Sequence, residues 1–598
     1  MGINKIIQGG GTMRFRERIT STLYSMKNSV KRFPITVFIS IIFVIVQIYI
    51  NELGYENNQD IREYYYRIRM VIGLGIPLSL CLGFINEVFF TKEKIKQALS
   101  YVIGFVILTL YYMFFLKGIN TVSVVRYTGT VIFLIIGIFY IPRLRNKENY
   151  EFHVLSVNTS IAVTFIYSAV LYFGIIAILF TIDRLFDVNI DGKYYYYTFL
   201  IVTFIFGISL FVSKLDDIKE NYGDRDYSSA LKILLIYIVI PLITIYTLIL
   251  YVYFAKIIIT REWPKGLVSN LVLWYSALSV FIIFLITPMV EENKIAKAFK
   301  IWFPKLILPI LLMMFMSMYQ RVDQYGITEN RYFIIALGLW VTGIMIYFSL
   351  VKPLRNIIIP ITLSLVVLNS VYGPLSALNI SINSQNKRLS KLLTTNDFLI
   401  DGKLIKKNNV SKEEQREISN IVEYFSNREL LDKIKVFPQE FKTKEMDNLL
   451  GFTFKPDIYG GYLNEEYFNY YLDPMEIALD IKDYDYYARV ATWSNGVIKL
   501  EDMELIYEEK DNSLKLLENE TILFKEDIKS IALSIHNNLK GNRENNRESV
   551  KLEDMIVEKT YDNIKIKIIF NNISGRQPEN RDNLQLDGTE FIILIDKK

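Results

Sequence analysis

LKILLIYIVIPLITIYTLILYVYF, residues 231–254, decides the class of fold. The stretch carries a single charge, Lys232, and its apolar side chains occupy every face of a helix. A helix that is apolar all round has no side to offer water. About 20 such residues cross a hydrocarbon core about 30 Å thick. With no water there to bond the backbone, an open-ended segment must be a helix. Phe33–Ile50, Met70–Phe90, Leu267–Val290 and Tyr332–Val351 read the same way. So do Tyr101–Leu116, Tyr127–Pro142, Ser156–Ile182, Tyr194–Val212, Ile301–Tyr319 and Asn356–Leu378. A soluble domain can bury one or two such helices but not eleven. The sequence predicts an α-helical polytopic membrane bundle of about eleven transmembrane helices over residues 33–378. A soluble α+β domain with a mostly antiparallel sheet follows over 379–598, where no such stretch occurs.

Orientation follows from Lys and Arg in short loops. Residues 1–32 carry Lys5, Arg14, Arg16, Arg18, Lys27, Lys31 and Arg32. If that segment is cytoplasmic, alternate loops should be basic. Lys92, Lys94 and Lys96; Arg143, Arg145 and Lys147; Lys214, Lys219, Arg225 and Lys232; Lys294, Lys297, Lys300 and Lys305; and Lys352 and Arg355 fit that alternation. The loops on the opposite side carry twelve basic residues against these sixteen, so the N-terminal segment makes the bias clear. An odd number of spans then puts the C-terminal domain outside the cytoplasm. Tyr64–Tyr66 and Tyr194–Tyr197 fall at the outer ends, where amphipathic rings favour the interface.

From Arg14 to Phe33 the apolar residues Phe15, Ile19, Leu23, Met26, Val30 and Phe33 share one helical face, and the other face is basic. Such a helix can lie on an anionic cytoplasmic leaflet. It can equally be an ordinary positive flank. The formal charge of +5 hides an asymmetry: residues 380–598 hold 32 basic and 40 acidic residues, the remainder 35 and 22. The basic half is the membrane half, and a mildly acidic soluble domain argues against nucleic acid as a partner. Cys81, the only cysteine, permits neither an intrachain disulfide nor a thiolate metal cluster.

Charges near the centre of a span mark ion or proton pathways, and these spans hold almost none. Glu87, beside Asn86, and the Asp183–Arg184 pair sit at span ends and read as interfacial residues or local pairs. Gly73, Gly75, Pro77 and Gly83 interrupt the second span, and Pro241, Pro309 and Pro360 lie within three others, where the ring can kink a helix but is also common in ordinary membrane helices. Two outer loops are polar and aromatic. One is Arg261-Glu262-Trp263-Pro264-Lys265-Gly266. The other runs from Tyr319 to Tyr332, YQRVDQYGITENRY. In the second, Gly326 suits a turn, and Thr328 with Glu329 suits the start of a helix. The candidate polar site is therefore Arg321, Asp323, Tyr325, Glu329, Asn330 and Arg331, with Glu262, Trp263 and Lys265 from the first loop.

In the soluble part, Ser381–Leu393 reads as a polar helical linker continuing the last span, and Ser411-Lys412-Glu413-Glu414 as a capping box. That box opens a helix with Ile418, Ile421, Val422 and Phe425 on one face. Met475–Ile481, Tyr486–Ala491, Val497–Leu500, Glu504–Glu508, Leu514–Leu517, Ile564–Phe570 and Thr589–Ile595 read as strands. Asn495-Gly496 is a hairpin signal, Asp511-Asn512 a weaker turn signal, and Lys525–Asn538 a helix. The two histidines, His153 and His536, are too few for zinc spacing. No serine sits in a nucleophile elbow, and no loop has the Walker pattern. Asp480, Asp483 and Asp485 suit a solvated strand end better than a calcium site. No catalytic residue, metal ligand or cofactor is assigned.

YQRVDQYGITENRY, followed by a span containing Trp340, resembles the hallmark of a bacterial multi-pass membrane family catalogued as domain-of-unknown-function family 4153. EWPKG (Glu262–Gly266) and SINSQNKRL (Ser381–Leu389) resemble it too. The resemblance implies an integral membrane protein and carries no catalytic residue over. The functional expectation is a non-enzymatic bacterial envelope protein, a sensor, binding protein or scaffold. Its partners would be the lipid bilayer, envelope proteins or lipid-linked molecules. The alternative is a transporter or flippase for a lipid-linked or amphipathic substrate. A weaker third reading is a membrane transferase whose charged loop holds an anionic head group.

Overall fold

The computed structural model describes residues 31–53, 59–186, 188–218, 227–260, 267–407, 410–455, 465–472, 479–492, 496–509, 511–519, 521–540, 547–578 and 585–597. The amphipathic stretch from Arg14 lies almost wholly outside them. The chain divides into two compact units, Met1–Pro456 and Asp457–Lys598. The stretch 379–598, read from sequence as one domain, thus contributes its first part to the helical unit.

Among the described residues, ten helices of the first unit are long and apolar enough to cross a membrane. They are α1 (Pro34–Glu52), α2 (Gln59–Phe89), α3 (Lys94–Phe115), α4 (Thr121–Tyr140), α5 (Tyr150–Phe186), α6 (Gly192–Lys214), α7 (Ser229–Thr260), α8 (Leu267–Ile286), α9 (Lys294–Tyr325) and α10 (Glu329–Leu350). The eleventh apolar stretch forms only the 14-residue α11, Ile358–Val371, about 21 Å long at 1.5 Å per residue. It nevertheless traverses the bundle. Asn356, just before it, bonds Glu151 at the start of α5, and Ser364 meets Tyr140 at the end of α4. Val371 then packs on Gly129, and the Leu375 carbonyl accepts from Tyr332 near the start of α10 at 2.6 Å.

Contacts sort the loops into two ends. Arg32, Glu87, Asp216, Ser156, Glu151 and Asn356 meet at one, which holds the basic loops. At the other end Glu52 pairs with Lys193 at 2.9 Å. Two features depart from the expectation of broken spans. The second span runs as one helix through Gly73, Gly75, Pro77 and Gly83. Its glycines serve close packing, since a Cβ on Gly83 would come within 2.6 Å of the Phe33 ring. In α7 a widened π-type turn, Leu234–Val239, whose last bond runs from the Ile240 amide to the Leu235 carbonyl, immediately precedes Pro241, which has no amide to donate.

After α11 the chain does not continue as one helix. Gly373, at φ +80°, breaks it before α12 (Ala377–Thr395) begins. With the two-stranded β1 (Leu399–Ile400) and β2 (Lys403–Leu404), α13 (Lys412–Ser426) and α14 (Met446–Leu450), α12 builds a small cap. Its core holds Leu389, Leu393, Phe398, Ile418, Val422 and Phe425, all fully buried. Ser411 and Glu414 form the expected capping box.

The second unit holds two sheets. The larger has strand order β4–β12–β11–β3–β9, with β10 also on β11. Its strands are β3 (Glu465–Tyr471), β4 (Tyr486–Ala491), β9 (Arg547–Ser549), β10 (Ile556–Tyr561), β11 (Ile564–Pro578) and β12 (Gln585–Lys597). The other is a meander of β5 (Gly496–Leu500), β6 (Met503–Glu508), β7 (Ser513–Glu518) and β8 (Thr521–Asp527). Every pairing is antiparallel except β3 with β9. Ile566, Ile568, Ile593 and Ile595 fill the core, with α15 (Ile528–Lys540) supplying Ile528, Ala532 and Ile535. Asn495, half of the expected hairpin signal, lies outside the described residues; the strands before and after it, β4 and β5, belong to different sheets. The β5–β6 turn falls instead at Glu501, in a left-handed conformation. The helix expected from Lys525 starts at Ile528, because β8 claims the preceding residues.

Candidate functional site

The turn between α9 and α10 requires Gly326. Its φ of +69° is left-handed, a region open to glycine at little cost. Its amide closes α9 on the Val322 carbonyl at 2.8 Å. Thr328 takes the N-cap position of α10, but its hydroxyl makes no capping bond. Instead the turn is read from outside by α12. The Ile327 amide donates to Ser384 Oγ at 2.8 Å, and buried Gln385 donates to the carbonyls of Tyr325 and Ile327 at 3.2 and 3.0 Å. Asn386 ties α12 onward, donating to the Lys433 carbonyl and accepting from the Lys435 amide. The two segments YQRVDQYGITENRY and SINSQNKRL are therefore one structural joint.

Glu329 is its charged centre. Its carboxylate accepts from Arg428 Nε and Nη2, each at 3.1 Å, and from the Tyr424 hydroxyl at 2.7 Å. Its side chain is 14% exposed. Burial, and next the Glu329 carboxylate, push the Tyr424 phenol up, which keeps it a donor. Glu329 and Arg428 also border a cavity of about 80 Å³ with Arg126 and Ser370.

Of the other expected residues, Arg331 donates to the Gly326 carbonyl at 2.8 Å and stands 5.5 Å from the centre of the Tyr325 ring. Arg388 of α12 stands 5.8 Å from the same ring. Arg321 is half-buried, four residues before the end of α9, and its charge acts on Arg331. Asp323 and Asn330 are exposed. Glu262, Trp263 and Lys265 lie outside the described residues. Among the described residues, the cap's Tyr424, Arg428, Ser384 and Gln385 are what meet this turn. Sequence reasoning missed Arg428 and Tyr424. Tyr424 is buried in the last turn of α13 and Arg428 lies just past its end, and neither has an evident partner in the sequence until the α9–α10 turn is set against them. Gln385 and Arg388 stand within a segment already singled out, but nothing local assigns their roles.

Elsewhere, an apolar groove of about 730 Å³ runs between α1, α2 and α3, lined by Phe38, Ile42, Ile72, Gly75, Leu108 and Thr109. Among the described residues, no group of three or more His, Cys, Asp or Glu is placed to hold a metal ion. In the second unit His536 is buried against Phe468 and shares a 3.1 Å hydrogen bond with the Tyr470 hydroxyl, an arrangement that makes it part of the core.

Comparison with known proteins adds relatives but no activity. An uncharacterized protein of Pasteurella multocida (strain Pm70), PM1469, is 22% identical over 282 residues, 47% of this chain. The matched stretch spans 48% of that relative. No solved structure matches. The profile of one family covers α1 to α12 and most of α13, including both halves of the joint about Gly326. By that match over residues 35–420, this membrane-spanning chain belongs to the family described as Domain of unknown function (DUF4153).

Proposed function

We propose that the protein is a non-enzymatic component of the cell envelope. In this reading its helical unit anchors, and its C-terminal portion senses or binds an envelope component outside the cytoplasm. The observation that carries it is the joint: buried side chains of the cap hold the α9–α10 turn at both backbone and charge. A change in the cap is thereby passed to a membrane helix without passing through a flexible linker. Orientation is supported by the gathering of the basic loops at one end, which favours the cytoplasmic side. The chain leaves the bundle at the opposite end, beyond α11.

Two experiments test this. With Cys81 replaced by Ser and one cysteine added after Lys598, an impermeant thiol reagent should label intact cells. Protection until lysis would reverse the orientation. In cells, Arg428→Gln at normal membrane abundance should reproduce the envelope-stress phenotype of deleting the gene. A wild-type response from that variant, beside a clear deletion phenotype, would remove the joint from the mechanism.

The groove between α1, α2 and α3 favours a second reading, movement of a lipid-linked or amphipathic substrate. Protein reconstituted in phosphatidylcholine vesicles should then speed the exchange of a fluorescent phospholipid between leaflets. An unchanged rate counts against that reading.

A further inference from the structure

Positive charge is disfavoured on the translocated side of a membrane protein, yet arginines converge on the joint. Arg428 is explained by Glu329. Arg321, Arg331 and Arg388 are not. None of the three has a carboxylate within ion-pair distance among the described residues. Glu417 acts on Arg388 only from farther off. Arginine cannot shed its proton to escape this situation. Two of the three guanidiniums stand within 6 Å of the Tyr325 ring centre, and Arg321 lies four residues before Tyr325 on α9, on the same face of the helix. Ring faces attract cations modestly, but they do not neutralise them. Arg331 spends one Nη on the carbonyls of Tyr325 and Gly326, leaving the other arm of its fork unassigned. Tyr325 ends a membrane-crossing helix and exposed Tyr319 sits two turns earlier. Tyrosines and arginines at the end of a span suit the depth where lipid phosphates meet water.

We infer that Arg321, Arg331 and Arg388, gathered around Tyr325, form a binding site for a phosphate group, most simply that of an anionic lipid head group in the leaflet at this end of the bundle. The planar fork of each guanidinium matches two phosphate oxygens. The doubly sourced positive charge, from the α9–α10 turn and from α12, makes the bound phosphate a third tie between bundle and cap. The inference rests on the proposed orientation only for which leaflet supplies the lipid. It is independent of what the C-terminal portion binds.

The test uses the full chain in nanodiscs of phosphatidylcholine alone, or of phosphatidylcholine and phosphatidylglycerol in equal parts. Both faces are accessible there, so the outcome does not depend on orientation. Wild-type protein should unfold a few degrees higher with phosphatidylglycerol, and should retain it in native mass spectrometry. Arg388→Gln and Arg321→Gln should each lose most of that shift and retain several-fold less lipid. Arg388→Lys, which keeps charge without the fork, should fall between and guards against a folding defect. Lys94→Gln, at the basic end, should respond as wild type. A second arm adds inorganic pyrophosphate to protein in neutral detergent. Stabilisation there, without a phosphatidylglycerol effect and sensitive to the same substitutions, supports the site with a soluble phosphate as its source. If neither probe stabilises the protein, or if the glutamine variants respond as wild type does, the inference is overturned.

Discussion

Two arginine–glutamate staples hold this molecule, one at each end of the bundle, and they act on different things. At the basic end Arg32 grips Glu87 through Nε and Nη2 at 2.8 and 2.9 Å, and also donates to the carbonyls of Leu215 and Asp216. It joins the start of α1 to the ends of α2 and α6, all within the bundle. At the far end Arg428 grips Glu329 with the same fork, but joins a bundle helix to the cap. The chemistry is shared, and the placement differs. One staple closes a set of packed helices, where apolar contact already fixes position. The other sits among the polar contacts that hold the cap on the α9–α10 turn. Loss of the second should therefore be felt more sharply and more locally.

The largest effect is expected for Arg428→Ala. Removing one partner of a buried pair typically costs about 3–5 kcal/mol. Both side chains keep some water here, at 25% and 14% exposure, so about 2–4 kcal/mol is expected. Hydrogen exchange should quicken in α12, α13 and the α9–α10 turn, while α2 and α5 stay protected. Pairing Arg428→Gln with Glu329→Gln should recover part of the loss, because no charge is then left alone. Uniform loosening of the whole bundle would erase the distinction between the staples. Next is Arg32→Ala. Glu87 stays 29% exposed and can be rehydrated, so about 1–3 kcal/mol is expected. Faster exchange should appear at the basic ends of α1, α2 and α6 and leave the joint untouched. Gln385→Ala follows, at about 1–2 kcal/mol, since it leaves the Ile327 carbonyl without its side-chain donor and the Tyr325 carbonyl with only the longer Arg331 bond at 3.4 Å. Its signature should be confined to the turn at Gly326.

The same contrast explains what the sequence made legible. The bundle was readable because all-round apolar segments have one solution in a bilayer. Glu87 was readable as a local pair because a span-end acid so close to a basic flank has few other outcomes. The α13 face was readable from spacing alone, and Ile418, Ile421, Val422 and Phe425 are all buried. The joint was half legible. The loop and SINSQNKRL stood out as segments, but their meeting depends on Gly373 turning α12 away from α11, a break that the polar pattern of Ser381–Leu393 does not signal. In the second unit, the signal at Asn495-Gly496 did not tell which strands pair, because turn chemistry is local, whereas strand partnership there is decided by the long register of β11 with β12. β3, β9 and β10 went unread because their patterns acquire meaning only beside β11.

The smallest effect tests whether the cap's own helix matters to the joint. Ser411→Ala removes the hydroxyl that accepts from the Glu414 amide at 3.2 Å, a loss of about 1 kcal/mol for a helix cap. Arg428 lies just past the other end of α13, so fraying at the first turn should reach the staple only weakly. Acid offers the same test without mutation. The Ser411 hydroxyl, followed by its amide, holds the Glu414 carboxyl below its ordinary value. A depressed carboxyl contributes stability above its unfolded value and loses it as pH falls through the folded one. Amide exchange at residues 412–415, corrected for its intrinsic pH dependence, should therefore quicken on acidification below the ordinary glutamate range. Ser411→Ala should show that faster exchange already at neutral pH and change less with acid. A wild-type first turn that is indifferent to acid would break the link between this capping box and the stability of α13.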